Sequence, residues 1–146
     1  GPSSVITRPS GSQQLSEPGP HVISGLAWSG GGAVRGVEVS TDGGRTYQQA
    51  ELAGPVLPKA HTRFMLPWTW NGEEAVLQSR CLDEKGQLQP SEAEYARYWN
   101  LTRGQLYGTI QSQLGHCNWI QPWKVGRDGK VTNGLAPVDV VVDVHG

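Results

Sequence analysis

Apolar and polar residues alternate in short runs along much of this chain, and glycine-, proline- or asparagine-rich turn signals separate the runs. The runs lie at 21–28, 33–40, 46–52, 61–70 and 75–83. Alternation with a period of two is typical of β-strands that bury one face. In the last run, Ala75, Leu77, Ser79 and Cys81 share one face. These patterns predict an antiparallel all-β protein.

A hairpin is the best-marked of these elements. Val37 and Val39 alternate with polar neighbours, and Asp42 begins an Asp-Gly-Gly turn signal. From Ser40 to Tyr47 the residues fit the pattern Ser-x-Asp-x-Gly-x-Thr-aromatic, which is called an Asp-box. We expect its carboxylate and hydroxyl groups to bond the turn backbone and its aromatic ring to close the core. The motif predicts a stabilised turn.

Short strands with a turn every 8–12 residues are the sequence signature of an immunoglobulin-like (E-set) β-sandwich. Pro67 lies inside the run 61–70 and predicts a bulge or a sheet edge there, because proline donates no ladder hydrogen bond. Ser91 and Glu94 form a capping box and predict one short helix over 91–99. A long irregular loop follows over 100–123. The turn 127–129 predicts a last hairpin.

The predicted domain organisation has two parts. Residues 1–19 are rich in Ser, Pro, Gly and Gln, and we expect an extended arm or interdomain linker with one possible edge strand at 5–7. Residues 20–146 form the sandwich domain. Within it, 91–117 hold the helix and the irregular loop, and 134–146 form a tail.

Composition excludes some partners. The net charge of −1 gives no broad field that would attract nucleic acid or a membrane surface. The two cysteines, Cys81 and Cys117, have no metal or haem spacing, and the sequence leaves open whether they pair. Six tryptophans beside one phenylalanine indicate an indole-rich core or interface. An exposed row of indoles would instead indicate a stand-alone module that binds carbohydrate or a protein ligand.

Several segments together resemble the C-terminal dimerisation domain of the sulfite oxidase family. They include Ile23–Gly30, the Asp-box hairpin, Pro58–Phe64, Trp68–Trp70, Leu77–Pro90 and Asn118–Val125. Within that family the chain most resembles the molybdenum subunit of the bacterial sulfur-oxidising (Sox) sulfite or sulfane dehydrogenase.

The resemblance implies a homodimer that forms through this domain. It implies that molybdopterin-bound molybdenum and its cysteine ligand belong to a preceding N-terminal domain, so that this chain alone holds no cofactor and no catalytic residue. The implied parent is a molybdenum-dependent sulfite or sulfane oxidoreductase in the periplasm, with a c-type cytochrome as electron acceptor. The resemblance says nothing of which sulfur compound is oxidised.

Two residues are implied as substrate-binding residues. Arg103 follows Trp99-Asn100-Leu101 in a segment similar to one in which the family places an arginine at the rim of the substrate pocket, with Thr102 inserted. A guanidinium group binds oxyanions bidentately, as a sulfur oxyanion requires. His116 lies where Sox subunits keep a histidine-asparagine segment near the active-site face.

Other charged residues are weaker candidates. Lys59, His61 and Arg63 could together contact an anion, or they could line a solvated loop edge. Asp83 and Glu84 are adjacent at a turn. Because neighbouring strand residues point to opposite faces, we expect this pair to be solvated and not to act as an acid–base pair.

Overall fold

The computed structural model describes residues 1–30, 32–53, 61–98 and 119–135. Within these ranges the chain forms an all-β sandwich with one short helix, which confirms the predicted fold class. The elements are β1 Pro2–Arg8, β2 Gly19–Ser29, β3 Val34–Ser40, β4 Gln48–Gln49, β5 Glu51–Ala53, β6 Thr62–Trp70, β7 Ala75–Asp83, α1 Glu92–Tyr98, β8 Trp123–Val125 and β9 Val131–Asn133.

Two antiparallel sheets make the sandwich. The first has the strand order β1-β2-β6-β5, and the second has the order β4-β3-β7-β8-β9. The first sheet contributes Ile6, Ile23 and Phe64 to the core, and the second contributes Val37 and Leu77, all of them 0% exposed. The core therefore lies between the sheets, and each sheet presents its other face outward.

Two strand predictions are confirmed in detail. β7 spans the predicted run, and Leu77, Ser79 and Cys81 are buried on its inner face. Pro67 lies in β6 opposite Val22, and no register shift interrupts the β2–β6 ladder. Among the described strands, β5 pairs only with residues 63–65 of β6. Pro67 therefore lies at a local sheet edge, where a missing amide hydrogen costs no ladder bond.

The predicted strand 46–52 is divided between the two sheets. β4 pairs with β3 in the second sheet, whereas β5 pairs with β6 in the first. Ala50 lies between them, is 5% exposed, and its N–H donates to the carbonyl of Val37 at 2.8 Å. The alternation correctly predicts extended chain over 46–52, but it does not show which sheet each half joins.

Residues 1–19 do not extend away from the sandwich but pack against it. β1 pairs with β2 from Pro2 to Arg8 and buries Ile6 completely. Further on, the Leu15 N–H donates to Gly129 O at 2.9 Å, and the Val131 N–H donates to Gln13 O at 3.0 Å. This stretch packs on the domain because its backbone finds partners in both sheets. A role as the connection to a preceding domain stays a prediction.

The Asp-box turn has the predicted hydrogen bonds. The Asp42 carboxylate accepts from the Thr46 N–H at 2.9 Å, from the Thr46 hydroxyl at 2.6 Å and from the Ser40 hydroxyl at 2.7 Å. The Ser40 hydroxyl oxygen in turn accepts from the Gly44 N–H at 2.8 Å. The predicted place of Tyr47 is wrong. Its half-buried ring lies under the Arg80 guanidinium at 3.7 Å from the ring centroid, outside the core.

We expected Asp83 and Glu84 to form a solvated pair at the turn after β7, and for Asp83 this expectation is wrong. Its side chain is 0% exposed. The carboxylate accepts from the backbone N–H groups of Lys85 at 3.0 Å and Gln87 at 2.9 Å, and from the Ser29 hydroxyl at 3.4 Å. Asp83 is buried because its oxygens replace water as partners of the turn backbone.

Gln89 ties three parts of the fold together from a side chain that is 2% exposed. Its amide oxygen accepts from the Ser4 hydroxyl at 2.6 Å and from the Cys81 N–H at 3.1 Å. Its amide nitrogen donates to Ser4 O at 3.2 Å and to Trp119 O at 3.1 Å. All four hydrogen-bonding positions of the amide are occupied. Gln89 thus joins β1, β7 and the chain that returns at Trp119.

The helix and the last hairpin also follow the predictions. The Glu94 N–H donates to the Ser91 hydroxyl at 3.1 Å, and the Ser91 N–H donates to the Glu94 carboxylate at 3.2 Å, which is the reciprocal pattern of a capping box. β8 and β9 pair around the turn at 126–130. Within the described ranges, no helix has the length and the apolar composition needed to cross a membrane.

Candidate functional site

The outer face of the first sheet carries a row of apolar side chains. Along β2, Ile23 and Ala27 are buried, so the alternate residues point outward: the apolar Val22, Leu26 and Trp28, with the polar Ser24 between the first two. The register places outward neighbours beside them on β1 and β6. We call the following residues the apolar face: Val5, Val22, Leu26, Trp28, Met65 and Pro67.

Val22 is the most exposed large apolar side chain of the described residues, with 52% of its surface open. Leu26, Met65 and Trp28 are half-buried. The Trp28 indole contacts the His61 ring edge-on, with centroids 5.2 Å apart and planes at 85°. Charged groups border this surface, since Arg63 is opposite Leu26 and Glu51 is opposite Met65. An apolar centre with a charged border is typical of protein–protein contacts.

The second sheet presents a different outward surface. We call the following residues the polar face: Glu38, Tyr47, Gln78, Arg80 and Lys124. The Arg80 Nε donates to the Glu38 carboxylate at 2.9 Å, while its guanidinium group stacks on Tyr47. The Tyr47 hydroxyl accepts from the Gln78 amide at 2.9 Å. Most groups of the polar face are therefore already bonded to one another.

The predicted substrate-binding residues cannot be placed on either surface. Arg103 and His116 both lie outside the described residues. Of the weaker anion cluster, Lys59 also lies outside them. His61 directly precedes β6 and Arg63 lies within it, so these alternate residues lie on the same outward side. His61 contacts Trp28 there, so it borders one end of the apolar face.

The described side chains form no cluster that suits a metal ion. No group of three or more His, Cys, Asp or Glu residues that could hold a metal ion occurs in the described ranges. The Cys81 thiol is 0% exposed. Burial, together with the neighbouring Asp83 carboxylate, raises the pKa of this thiol to about 12. A thiol held protonated in the core is a poor metal ligand, because thiolate is the binding form. Cys117 lies outside the described residues.

The tryptophans do not form a stacking platform in the part of the chain that the structure describes. Trp70 and Trp119 are 3% and 4% exposed. Trp28, Trp68 and Trp123 are half-buried. An indole row that binds sugar requires exposed, coplanar faces, and each of these five indoles is buried or half-buried.

Sequence reasoning missed the apolar face, although a signal was present. In the run 21–28 both alternating sets are mostly apolar: Ile23 and Ala27 lie on one side, and Val22, Leu26 and Trp28 lie on the other, where Ser24 interrupts them. A strand with only one buried face shows a clean alternation, whereas a strand buried on both faces does not. The run therefore indicated that something covers the outer face of this sheet.

Comparisons with known proteins give the context of this domain. The family described as the Mo-co oxidoreductase dimerisation domain matches residues 2–107. Mitochondrial sulfite oxidase of Rattus norvegicus is 40% identical over 113 residues, which cover 70% of this chain and 19% of that protein. Nitrate reductase [NAD(P)H] of Hordeum vulgare is 33% identical over 113 residues, which cover 68% of this chain and 12% of that protein.

A solved structure agrees with these sequence matches. The sulfane dehydrogenase SoxCD of Paracoccus pantotrophus has a chain that superposes with a TM-score of 0.79 at 42% sequence identity. The match covers 93% of this chain and 33% of that chain. The chain thus spans about a fifth of the length of the rat relative and a third of the solved chain.

Proposed function

Because the chain belongs to the family of Mo-co oxidoreductase dimerisation domains, we propose that it joins two copies of a molybdenum-cofactor oxidoreductase into a homodimer. The observation that carries the proposal is the apolar face, where outward side chains of three neighbouring strands form one apolar surface. Two copies that bury this surface against each other would form an isologous contact. The polar face is a weaker candidate, since its groups have partners within the chain.

For the parent enzyme, we propose oxidation of a sulfur compound of the sulfite or sulfane class. The support is the 42% identity to the SoxCD chain over 93% of this chain, together with the sulfite oxidase relatives. The molybdopterin and its ligands would belong to a preceding domain, which is the second partner of this chain. A c-type cytochrome as electron acceptor and a periplasmic location are further parts of this proposal.

Arg103 and His116 are the proposed contribution of this chain to substrate binding. A guanidinium group remains charged at all physiological pH values and offers two parallel donors to an oxyanion. An imidazole beside it would add a donor to the same anion. In the full-length enzyme, we expect Arg103→Ala to raise KM for the sulfur oxyanion more strongly than it lowers kcat.

The dimer proposal is tested by measuring the mass of the chain with light scattering after size exclusion, over a concentration series. We expect a species of twice the chain mass of 15.8 kDa. Two variants sharpen the test, because the two exposed large apolar side chains among the described residues lie on opposite sheets. Val22 lies on the apolar face, and Leu88, which is 44% exposed, bridges to Leu82 of the second sheet.

Val22→Asp should shift the chain toward the monomer, whereas the matched control Leu88→Asp should leave the dimer unchanged. A charge placed in an apolar contact loses hydration without gaining a partner, so a weakening of about 100-fold is expected. A chain that stays monomeric at every concentration would contradict the proposal. Equal effects of the two substitutions would contradict the choice of surface.

A further inference from the structure

The apolar face is bordered by two charges of opposite sign on neighbouring strands. Arg63 of β6 is opposite Ala53 of β5, and Glu51 of β5 is opposite Met65 of β6. The two charged residues are therefore diagonal neighbours, and both side chains are exposed. In the part of the chain that the structure describes, the ion pairs are Arg80–Glu38 and Arg127–Glu73, and neither includes Arg63 or Glu51.

The outward residues of the first sheet form rows across the strands. Ser24, Met65 and Glu51 make one row, since Ser24 pairs with Met65 and Met65 with Glu51. Leu26, Arg63 and Ala53 make the next row in the same way. One row thus ends in a carboxylate on β5, and the adjacent row has a guanidinium group on β6.

A two-fold axis in the plane of the contact makes these two rows complementary. If the axis crosses the strands midway between the rows, it reverses the strand direction of the second copy, and each row faces the other row of its partner. Arg63 then lies over Met65 of the second copy, directly beside Glu51 of that copy. The same operation repeats the contact on the other side of the axis, so two ion pairs form.

The same axis also matches the next rows outward. Val22 and Pro67 form the row beyond Ser24 and Met65, and Trp28 forms the row beyond Leu26. The axis places Val22 over Trp28 of the second copy. Val22, the most exposed large apolar side chain of the described residues, would therefore be covered by the Trp28 indole of the second copy.

We infer that the homodimer is held in register by a reciprocal ion pair between Arg63 of one copy and Glu51 of the other. The inference rests on the proposed dimerisation and adds the geometry of the contact. The partner is a second copy of this chain because the surface supplies both charges and both halves of the apolar contact. Charges at the border of an apolar contact set its register and select against wrong pairings.

The test is charge reversal, with the dimer dissociation constant measured by sedimentation equilibrium. Arg63→Glu and Glu51→Lys should each raise the dissociation constant about tenfold, because each places like charges across the contact. The double variant should restore it to within about threefold of the original value, since the pair is rebuilt with its signs exchanged. Arg35→Glu, an exposed reversal on β3 of the other sheet, should change nothing.

If a reversed charge impairs folding, neutral variants test the same ion pair. Arg63→Gln and Glu51→Gln should each weaken the dimer, and the double variant should be no weaker than either single variant. A persistent dimer with additive effects would overturn the ion pair and leave the proposed dimerisation intact. A monomer in the unmodified chain would overturn both.

Discussion

The two outer faces of this sandwich have opposite relations to the rest of the chain. On the polar face, Arg80 lies between a carboxylate at 2.9 Å and an aromatic ring at 3.7 Å, so its charge is already neutralised within the molecule. On the apolar face, Val22 is half exposed, and no ion pair among the described residues includes Arg63. On one surface most polar groups are paired within the chain, and on the other an apolar side chain and a charged side chain are open to solvent.

This difference separates two kinds of energetic effect. Substitutions on the polar face, or in the Asp-box turn of the same sheet, should change the free energy of unfolding and leave association unchanged. Substitutions on the apolar face should change association and leave the fold of the single chain nearly unchanged. The Val22→Asp and charge-reversal experiments address the second half of this statement, and the substitutions below address the first half.

Ser40→Ala should have the largest effect of the three. The hydroxyl is 1% exposed, and its removal leaves the Gly44 N–H without its acceptor and the Asp42 carboxylate without one donor. The loss of one neutral hydrogen bond and one bond to a charged group costs about 1–3 kcal/mol of unfolding free energy. Urea unfolding measures the loss, and Thr132→Ala, at an exposed position of β9 in the same sheet, is the control. A change in dimer mass would contradict the separation of the two faces.

Arg80→Ala should cost less, about 1 kcal/mol of unfolding free energy. The side chain keeps 29% of its surface exposed, so solvent screens its ion pair with Glu38 and limits the contribution. Arg80→Lys keeps the charge but loses the planar group that stacks on Tyr47, and it should recover only part of the loss. Full recovery in the lysine variant would show that charge alone, and not stacking, stabilises this surface.

Asp42 should give the smallest effect, visible as a dependence on pH. Its hydrogen bonds, first those from Thr46 and then that from Ser40, hold the pKa of this carboxyl far below its ordinary value of 3.8. Protonation is therefore easier in the unfolded chain. The stabilisation is complete above about pH 5 and declines as the pH falls below 4. Thermal unfolding of Asp42→Asn should differ from that of the original chain at pH 6, and the difference should narrow at pH 3. A constant difference would contradict the assignment.

Much of the fold could be predicted because local signals and tertiary structure agree. The alternation in 75–83 fixes both the bounds and the inner face of β7. The capping box at Ser91 and Glu94 marks the start of α1. By contrast, the edge strand predicted at 5–7 is only part of β1, because Ser4, which is buried against Ser79 and Gln89, gives no apolar signal. The burial of Asp83 also depends on bonds to a turn that sequence alone does not place.

The candidate site could likewise be predicted only in part from the sequence. Family resemblance pointed to dimerisation, and the matching family confirms that the chain is a dimerisation domain. The surface itself required the register between strands, because Glu51 and Arg63 are far apart in the sequence and become neighbours only through the β5–β6 ladder. Arg103 and His116 rest on motif similarity alone and stay predictions.

The Gln89 junction makes two distant parts of the chain depend on one side chain. Gln89 binds Trp119 O, and the Ile120 N–H donates to Pro90 O at 2.9 Å, so residues 89–90 and 119–120 are held side by side. The same amide also holds Ser4 and Cys81. Because buried groups that lose a hydrogen-bond partner are destabilising, a substitution at Gln89 would disturb the first strand and the segment that leads into the last hairpin together.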